Sequence, residues 1–580
     1  MALFVGDIEA GTEVWGVSSN NIIPDLQRTG FSMGDNEFDY IIVGGGSAGC
    51  VLAHRLTECG KLKVCLLEAG PRDWNPFISI PAGVIALIRG VFCNWRFWSE
   101  PQKHLNNRRL YQPRGKVLGG SSAINATVCI RGHKRDFDHW QALGNPGWSY
   151  DDVLPFFRKC ENFEPFDKTN DAGKYHGKDG PLNVAERRTH NPLSLTFVSA
   201  GMQAGYPLNE DFNGADQYGV GLYHVFQKGG LRCSNARAYL KLARWRANLT
   251  VVTGAHVTKV LIENGVAEGV EFKRQGSMKT VRARREVILS AGAFQSPQVL
   301  MLSGVGDPAE LSRFDIPVKA ELPGVGKNLQ DHLDIFVETR EKTKFSVSLR
   351  LETLPKMLWQ TFLLLFFRKG TLTSNVAESG GFYHSGIGGE EGVPDIQWHM
   401  AVSMNAKHGL DLTRVRKYFG YSVMNYDLRP LSRGRVGLHS ADPLAPPLID
   451  PALGSHERDI DRLVYAVKET RRVLAQPAFD PHRGGETAPG PHIQTDEQLR
   501  EWVRETAEVA YHPVGTCKMG PASDAMSVVD ARLKVRGVKG LRVVDCSIMP
   551  TLVGGNTNQP ATMIGEKGAQ MILEDCGALE

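Results

Sequence analysis

Phe38-Asp39-Tyr40-Ile41-Ile42-Val43 runs into Gly44-Gly45-Gly46-Ser47-Ala48-Gly49 and then into Cys50-Val51-Leu52-Ala53-His54-Arg55-Leu56. The β-branched apolar run predicts a strand, the glycines a tight turn, and the apolar residues at helical spacing a helix. Each glycine of this G-x-G-x-x-G pattern has a steric task. Gly44 turns the chain, Gly46 lets backbone approach a pyrophosphate, and Gly49 lets the helix close on the strand. The helix that opens at Ser47 and Ala48 offers free N–H groups and a positive dipole end to phosphates. A second apolar run, Val64-Cys65-Leu66-Leu67, ends in Glu68, whose carboxylate can accept ribose hydroxyls. The result is a βαβ dinucleotide-binding unit, and the fold class is α/β with a Rossmann-like domain. This unit alone does not choose between FAD and NAD.

Outward from that unit, the 580 residues exceed what one hydrophobic core usually organises, so two domains are expected. The composition is 42% hydrophobic and 22% charged, and the 62 glycines follow no repeat, which excludes collagen-like and disordered chains. A net charge of +4 with no basic stretch interleaved with aromatics gives no reason to expect a nucleic acid partner. The ten cysteines show no C-x-x-C pair and no histidines at zinc-ligand spacing, so no metal site is expected. Scattered cysteines read as small buried hydrophobes of a reducing compartment, and residues 1–36 lack the basic start and apolar core of a signal peptide, so cytoplasmic residence is the expectation. No segment reaches the roughly 20 apolar residues that span a bilayer. The nearest, from Met357 to Phe367 and followed by Arg368-Lys369, is expected as a buried helix, with a peripheral membrane contact as the alternative.

A second glycine-rich loop, Arg114-Gly115-Lys116-Val117-Leu118-Gly119-Gly120-Ser121-Ser122-Ala123-Ile124-Asn125-Ala126-Thr127, departs from a nicotinamide enzyme. It resembles the first signature of the glucose-methanol-choline (GMC) oxidoreductases, and the stretch from Gly292 to Gly306 resembles the second. The stretches Gly324–His332, His512–Gly520 and Val544–Asn558 follow in the family's order, so the resemblance covers nearly the whole chain. It implies FAD as cofactor. The cofactor domain would be assembled from discontinuous segments, beside a substrate-binding domain with a mainly antiparallel sheet backed by helices. By that reading residues 1–36 form an extension, 37–190 and 231–345 are FAD-binding, 191–230 and 346–500 build the substrate domain, and 501–580 return to the cofactor and carry catalysis.

By the same resemblance Gly119, Gly120, Asn125, Ala126 and Thr127 would line the flavin, Val257 would touch the adenine side through its backbone, and Asp545 would stand near the ribityl chain. Some members attach FAD through a histidine; Ile124 occupies that position here, which implies non-covalent FAD. Removing a hydride from an alcohol leaves a proton, so a base of near-neutral pKa is required, and histidine suits it. His512 stands where the family keeps its catalytic histidine, and Asn558 is read as the partner amide on the same hydroxyl oxygen. His332 is read as tying a loop near the cofactor. The run from Pro560 to Leu573 reads as a helix starting at the active site. Its dipole would favour negative charge on the flavin.

Within the family the nearest resemblance is to bacterial membrane-associated alcohol dehydrogenases acting on aliphatic primary alcohols, carried by Thr373–Phe382, Ser432–Leu438 and Ala445–Pro451. That implies a small-molecule alcohol as substrate and a quinone or other non-oxygen acceptor, at the inner membrane if the peripheral contact is made. Choline dehydrogenase and a peroxide-producing alcohol oxidase are alternative activities. A light-driven decarboxylase is disfavoured by Ala377 and His399 at the positions of its cysteine and arginine, and an inactive flavin-binding scaffold is disfavoured by His512 and Asn558.

Overall fold

The computed structural model describes residues 37–404 and 406–578, so the readings made on residues 1–36 lie outside the described residues. Two seven-stranded sheets organise the chain. In the first, the strands run in the order Leu249–Thr253, Val64–Glu68, Glu37–Val43, Ser277–Leu289, Val266–Arg274, His256–Glu263, and Leu541–Val543 also pairs with Ser277–Leu289. The pairs around Glu37–Val43 are parallel, with Ile42 opposite both Leu66 and Ile288. Ser277–Leu289 changes character along its length. Its first half alternates in exposure and pairs antiparallel in a hairpin. Its end, Val287-Ile288-Leu289, is fully buried and pairs parallel with two strands, as expected of a strand covered on both faces. One covering layer is the helix Ser47–Leu56 packed on the C-terminal helix Asn558–Asp575. They approach so closely at Gly565 that a Cβ there would stand 2.9 Å from the Val51 Cβ.

The second sheet is antiparallel, in the order Arg483–Ala488, Leu333–Glu341, Gly420–Asp427, Ile396–Ala401, Ala377–Tyr383, Gly219–Leu222. Its residues divide by the two-residue period of a strand. Ile335, Val337, Trp398, Met400 and Val423 pack on Leu463 and Val467 of the amphipathic helix Glu457–Leu474 and on Phe197 of the helix Pro192–Gln203. Phe336, Ala377, Ala401, Met424 and Tyr426 form a cluster on the other face.

Two expectations need correction. Leu333–Glu341, assigned above to the cofactor segment, is a strand of the second sheet, and Glu508–Val509 of the C-terminal segment pairs with it there. The strand follows Asp331-His332 without a linker, so the chain enters the second sheet directly at the end of a stretch that reads as one motif. The helix Leu354–Phe367 is not buried: Leu364 is its only buried residue, while Leu358, Trp359, Phe362, Leu365, Phe366 and Phe367 are 40–69% exposed.

Candidate active site

A cavity of about 320 Å³ extends from Glu68, Ala255 and Val257 past Gly44, Gly46, Ser47 and Ala48 to His512 and the second sheet. At its first end the Glu68 carboxylate is fixed by the Gly45 and Gly70 amides, which donate to it at 2.8 and 2.7 Å. Burial pushes this carboxyl up to about 7. Gly44 has φ +103°, and a Cβ there would lie 2.5 Å from the Ser290 carbonyl oxygen. Gly49 packs rather than lines, since its Cβ would sit 1.9 Å from the Gly44 oxygen.

Of the second glycine loop, Gly120, Asn125, Ala126 and Thr127 line the cavity. Gly119, expected to line it too, stands behind: its N–H donates to the Gly45 oxygen at 2.7 Å and so ties the two glycine loops together. Asp545 also lines the cavity, held by the Gly292 amide at 2.9 Å, the Ser296 hydroxyl at 2.6 Å and the Ser547 amide at 2.8 Å. These residues fit a flavin dinucleotide. Along the cavity wall a Cβ on Gly46 would meet only the Ser290 oxygen, at 3.8 Å, and one on Gly292 would meet nothing within 4 Å. The open path past bare backbone therefore runs between two anchored carboxylates suited to sugar hydroxyls. Ile124 lines the same space without a nucleophilic atom.

At the other end stands His512, its backbone N–H donating to Asp331 Oδ1 at 2.8 Å. Its two ring nitrogens have different partners: Nε2 lies 3.2 Å from Asn556 Nδ2, and Nδ1 lies 3.0 Å from His332 Nδ1. An amide nitrogen can only donate, so Nε2 accepts and the ring proton sits on Nδ1, shared with an unprotonated His332 Nδ1. Gln397 Nε2, 3.4 Å from Asn556 Oδ1, supports this orientation of the amide. Burial, then the neighbouring His332, His399, Arg114 and His408, hold the His512 pKa well below its ordinary value, and burial lowers His332 to about 3. The site thus holds a neutral imidazole with its lone pair at the cavity.

Asn558 does not face His512. It is the first residue of its helix, and its Oδ1 accepts from the Ser47 hydroxyl at 2.9 Å, at the first glycine turn. Asn556, not singled out from the sequence, lies two residues before the helix in the preceding loop, and its amide is the one that meets His512. The signal was an amide on either side of Thr557, with only the helix start to tell them apart. Helix and cavity do meet, since Thr557, Asn558 and Ala561 line the cavity.

Around His512 the second sheet supplies Ala377, His399, Met424 and Tyr426. Val376, Ala510 and Tyr511 join them from loops, His408 from the 3-10 helix Ala406–Gly409, and Val84, Ile85 and Ile88 from a short helix. His408 pairs with Asp334 at 3.0 Å, which outweighs its burial and raises its pKa. Among the described residues Glu68 and Asp545 are the only acids lining the cavity, and neither is among the charges that act on His512.

A dinucleotide-binding sheet, a cavity fitted to a flavin cofactor and a neutral histidine at its far end define a flavin-dependent oxidoreductase. The chain belongs to the GMC oxidoreductase family, whose models match residues 38–334 and 430–565. It is 47% identical over 538 residues to the alcohol dehydrogenase [acceptor] of Pseudomonas putida, covering 92% of this chain and 96% of that one. It is 44% identical over 541 residues to the oxygen-dependent choline dehydrogenase of Sinorhizobium fredii, covering 92% and 95%. The solved structure of a single-substitution variant of formate oxidase from Aspergillus oryzae superimposes with a TM-score of 0.87 at 26% identity, covering 94% of this chain and 100% of that one. The cofactor is FAD, and the protein is an FAD-dependent alcohol oxidoreductase.

Proposed function

We propose that the protein oxidises an aliphatic primary alcohol to the aldehyde and passes the electrons to a quinone or another non-oxygen acceptor. The observation that carries the reading is the unprotonated His512 Nε2, held at the cavity beside the Asn556 amide. His512 takes the hydroxyl proton at Nε2, and Asn556 Nδ2 donates to the same oxygen, which fixes the alcohol carbon in one orientation. Bound FAD supplies the hydride acceptor. The resulting imidazolium keeps its Nδ1–H on neutral His332, so its charge is stabilised by a hydrogen bond as it forms.

The choice of an uncharged alcohol over choline is supported by the absence, among the described residues, of a carboxylate lining the cavity beside His512, and by the apolar Val84, Ile85, Ile88, Val376 and Met424 there. A quaternary ammonium would be desolvated against that wall with no counter-charge. Transfer of the electrons to a separate acceptor is supported by the name of the Pseudomonas putida relative, which specifies an acceptor without naming it. The test is anaerobic reduction of the bound flavin. 1-Octanol is expected to bleach its band near roughly 450 nm while choline does not, and His512→Ala is expected to slow the bleaching about 10²- to 10⁴-fold. Equal reduction by choline would overturn the substrate assignment, and an unimpaired His512→Ala variant would overturn the base. Readmitting air and then a quinone separates oxidase from dehydrogenase.

We place the protein peripherally on the cytoplasmic face of the inner membrane. The support is the exposed apolar helix Leu354–Phe367, ringed by the exposed cations Lys356, Arg368 and Lys369, a pattern suited to an anionic leaflet. Among the described residues no helix is long and apolar enough to cross a membrane.

A further inference from the structure

Behind the glycine loop that lines the cavity lies a buried cation with only neutral partners. Arg232 is 2% exposed. Its Nε donates to the Ile78 carbonyl at 2.9 Å, and its Nη1 to the Asn125 carbonyl at 2.5 Å, to Asn125 Oδ1 at 2.8 Å and to the Ser122 carbonyl at 3.4 Å. Nη2 makes no hydrogen bond. The charge acting on Arg232 is the like-signed Arg237, which is itself paired with Asp73 at 3.3 Å. Burial pulls the guanidinium down to about 9, still above neutrality, so it remains a cation.

An unpaired buried charge is costly, and tying a few carbonyls together does not require one, because a neutral amide would do that. The position of this charge gives it a use. Asn125 takes two of the guanidinium's hydrogen bonds and lines the cavity with Ala126 and Thr127, the stretch read above as facing the flavin. We propose that Arg232 is the fixed counter-charge for the negative charge that bound flavin gains in the reaction, and that it thereby sets the cofactor's reduction potential. The inference rests on the placement of the flavin against Asn125-Ala126-Thr127. When the alcohol's hydride goes to the flavin and its hydroxyl proton to His512, one added negative charge is left on the ring system. A cation held one residue behind the wall stabilises it without moving, as a preorganised field does. Arg114, a half-buried arginine that lines the cavity, has the Asp331 carboxylate as its principal opposite charge; Arg232 has none.

The experiment is a reductive titration of FAD-loaded wild type, Arg232→Met, Arg232→Gln and Arg232→Lys against a reference dye. The Met and Gln variants should bias the two-electron equilibrium toward oxidised flavin at least tenfold, about 30 mV lower in midpoint potential, while Lys, which keeps the charge, should stay close to wild type. Gln keeps a donor for the Asn125 carbonyl and carries the test if Met does not fold. An unchanged potential in the neutral variants overturns the proposal. So does a Lys variant that falls as far as they do, because the guanidinium would then be a structural clamp. Ala126→Val tests the placement separately: if its flavin absorbance and potential match wild type, the flavin does not lie on that wall and the underlying reading fails.

Discussion

The two asparagines flanking Thr557 make the sharpest comparison at the scale of single residues. Asn556 Nδ2 faces His512 Nε2, whereas Asn558 is engaged with Ser47 at the glycine turn. Removing a preorganised donor of this kind costs about 10²- to 10³-fold in kcat. Asn556→Ala is therefore expected to lose that much in stopped-flow flavin reduction, and Asn558→Ala to change kcat less than tenfold while weakening FAD binding. The reverse order would return the catalytic role to Asn558. The depressed pKa of His512 gives a second expectation. A base works deprotonated, so kcat/KM should be flat from pH 7 upward and fall on acidification, with its midpoint below the ordinary histidine value of about 6.5. A midpoint at or above that value in a kcat/KM–pH profile would contradict the neutral, charge-crowded imidazole. His512 was legible in the sequence because its surrounding motif is long. The choice between Asn556 and Asn558 was not, because it depends on where the helix takes its first turn.

Elements show the same division between what local pattern dictates and what tertiary context decides. The strand, turn and helix at Phe38–Leu56 could be read directly because Gly44 needs a positive φ and Gly49 a missing Cβ, and both requirements are met in the structure. The change of sheet at Leu333 left no such mark, since an apolar strand looks alike in either sheet. Leu354–Phe367 was ambiguous for a related reason: its apolar length says that it must be covered, and only the fold shows that the rest of the described chain does not cover it. Trp359 and Phe362 stack at 5.2 Å on this helix, presenting a broad aromatic surface. Such a helix should bind vesicles containing anionic lipid, more weakly as salt rises, because headgroup attraction is screened. Replacing Leu358 and Phe366 by Glu should release the protein in co-sedimentation and leave the turnover of water-soluble alcohols unchanged. Continued co-sedimentation of the double variant would assign membrane contact elsewhere or remove it.

At the scale of the molecule, three separated stretches, 37–68, 249–289 and 541–543, build one sheet, and the chain between them builds the other. The cavity lies where they meet and is lined from both. Neither sheet is a contiguous piece that could fold first and alone, so occupancy of the cavity and stability of the whole should be linked. A ligand bound by the folded chain alone, at a free concentration 100 times its Kd, stabilises by about 2.7 kcal/mol. Stripping FAD should therefore lower the thermal midpoint, and adding FAD back should restore it in a concentration-dependent way. The same experiment tests the mode of attachment. With Ile124 at the position where the family resemblance places a linking histidine in some members, FAD is expected to be held only by contacts that exist in the folded state. Unfolding in urea should send all of the yellow colour through an ultrafiltration membrane. Flavin retained with the unfolded chain would show a covalent bond at another residue lining the cavity, and Cys546 would be the first to examine because it is the only thiol there among the described residues.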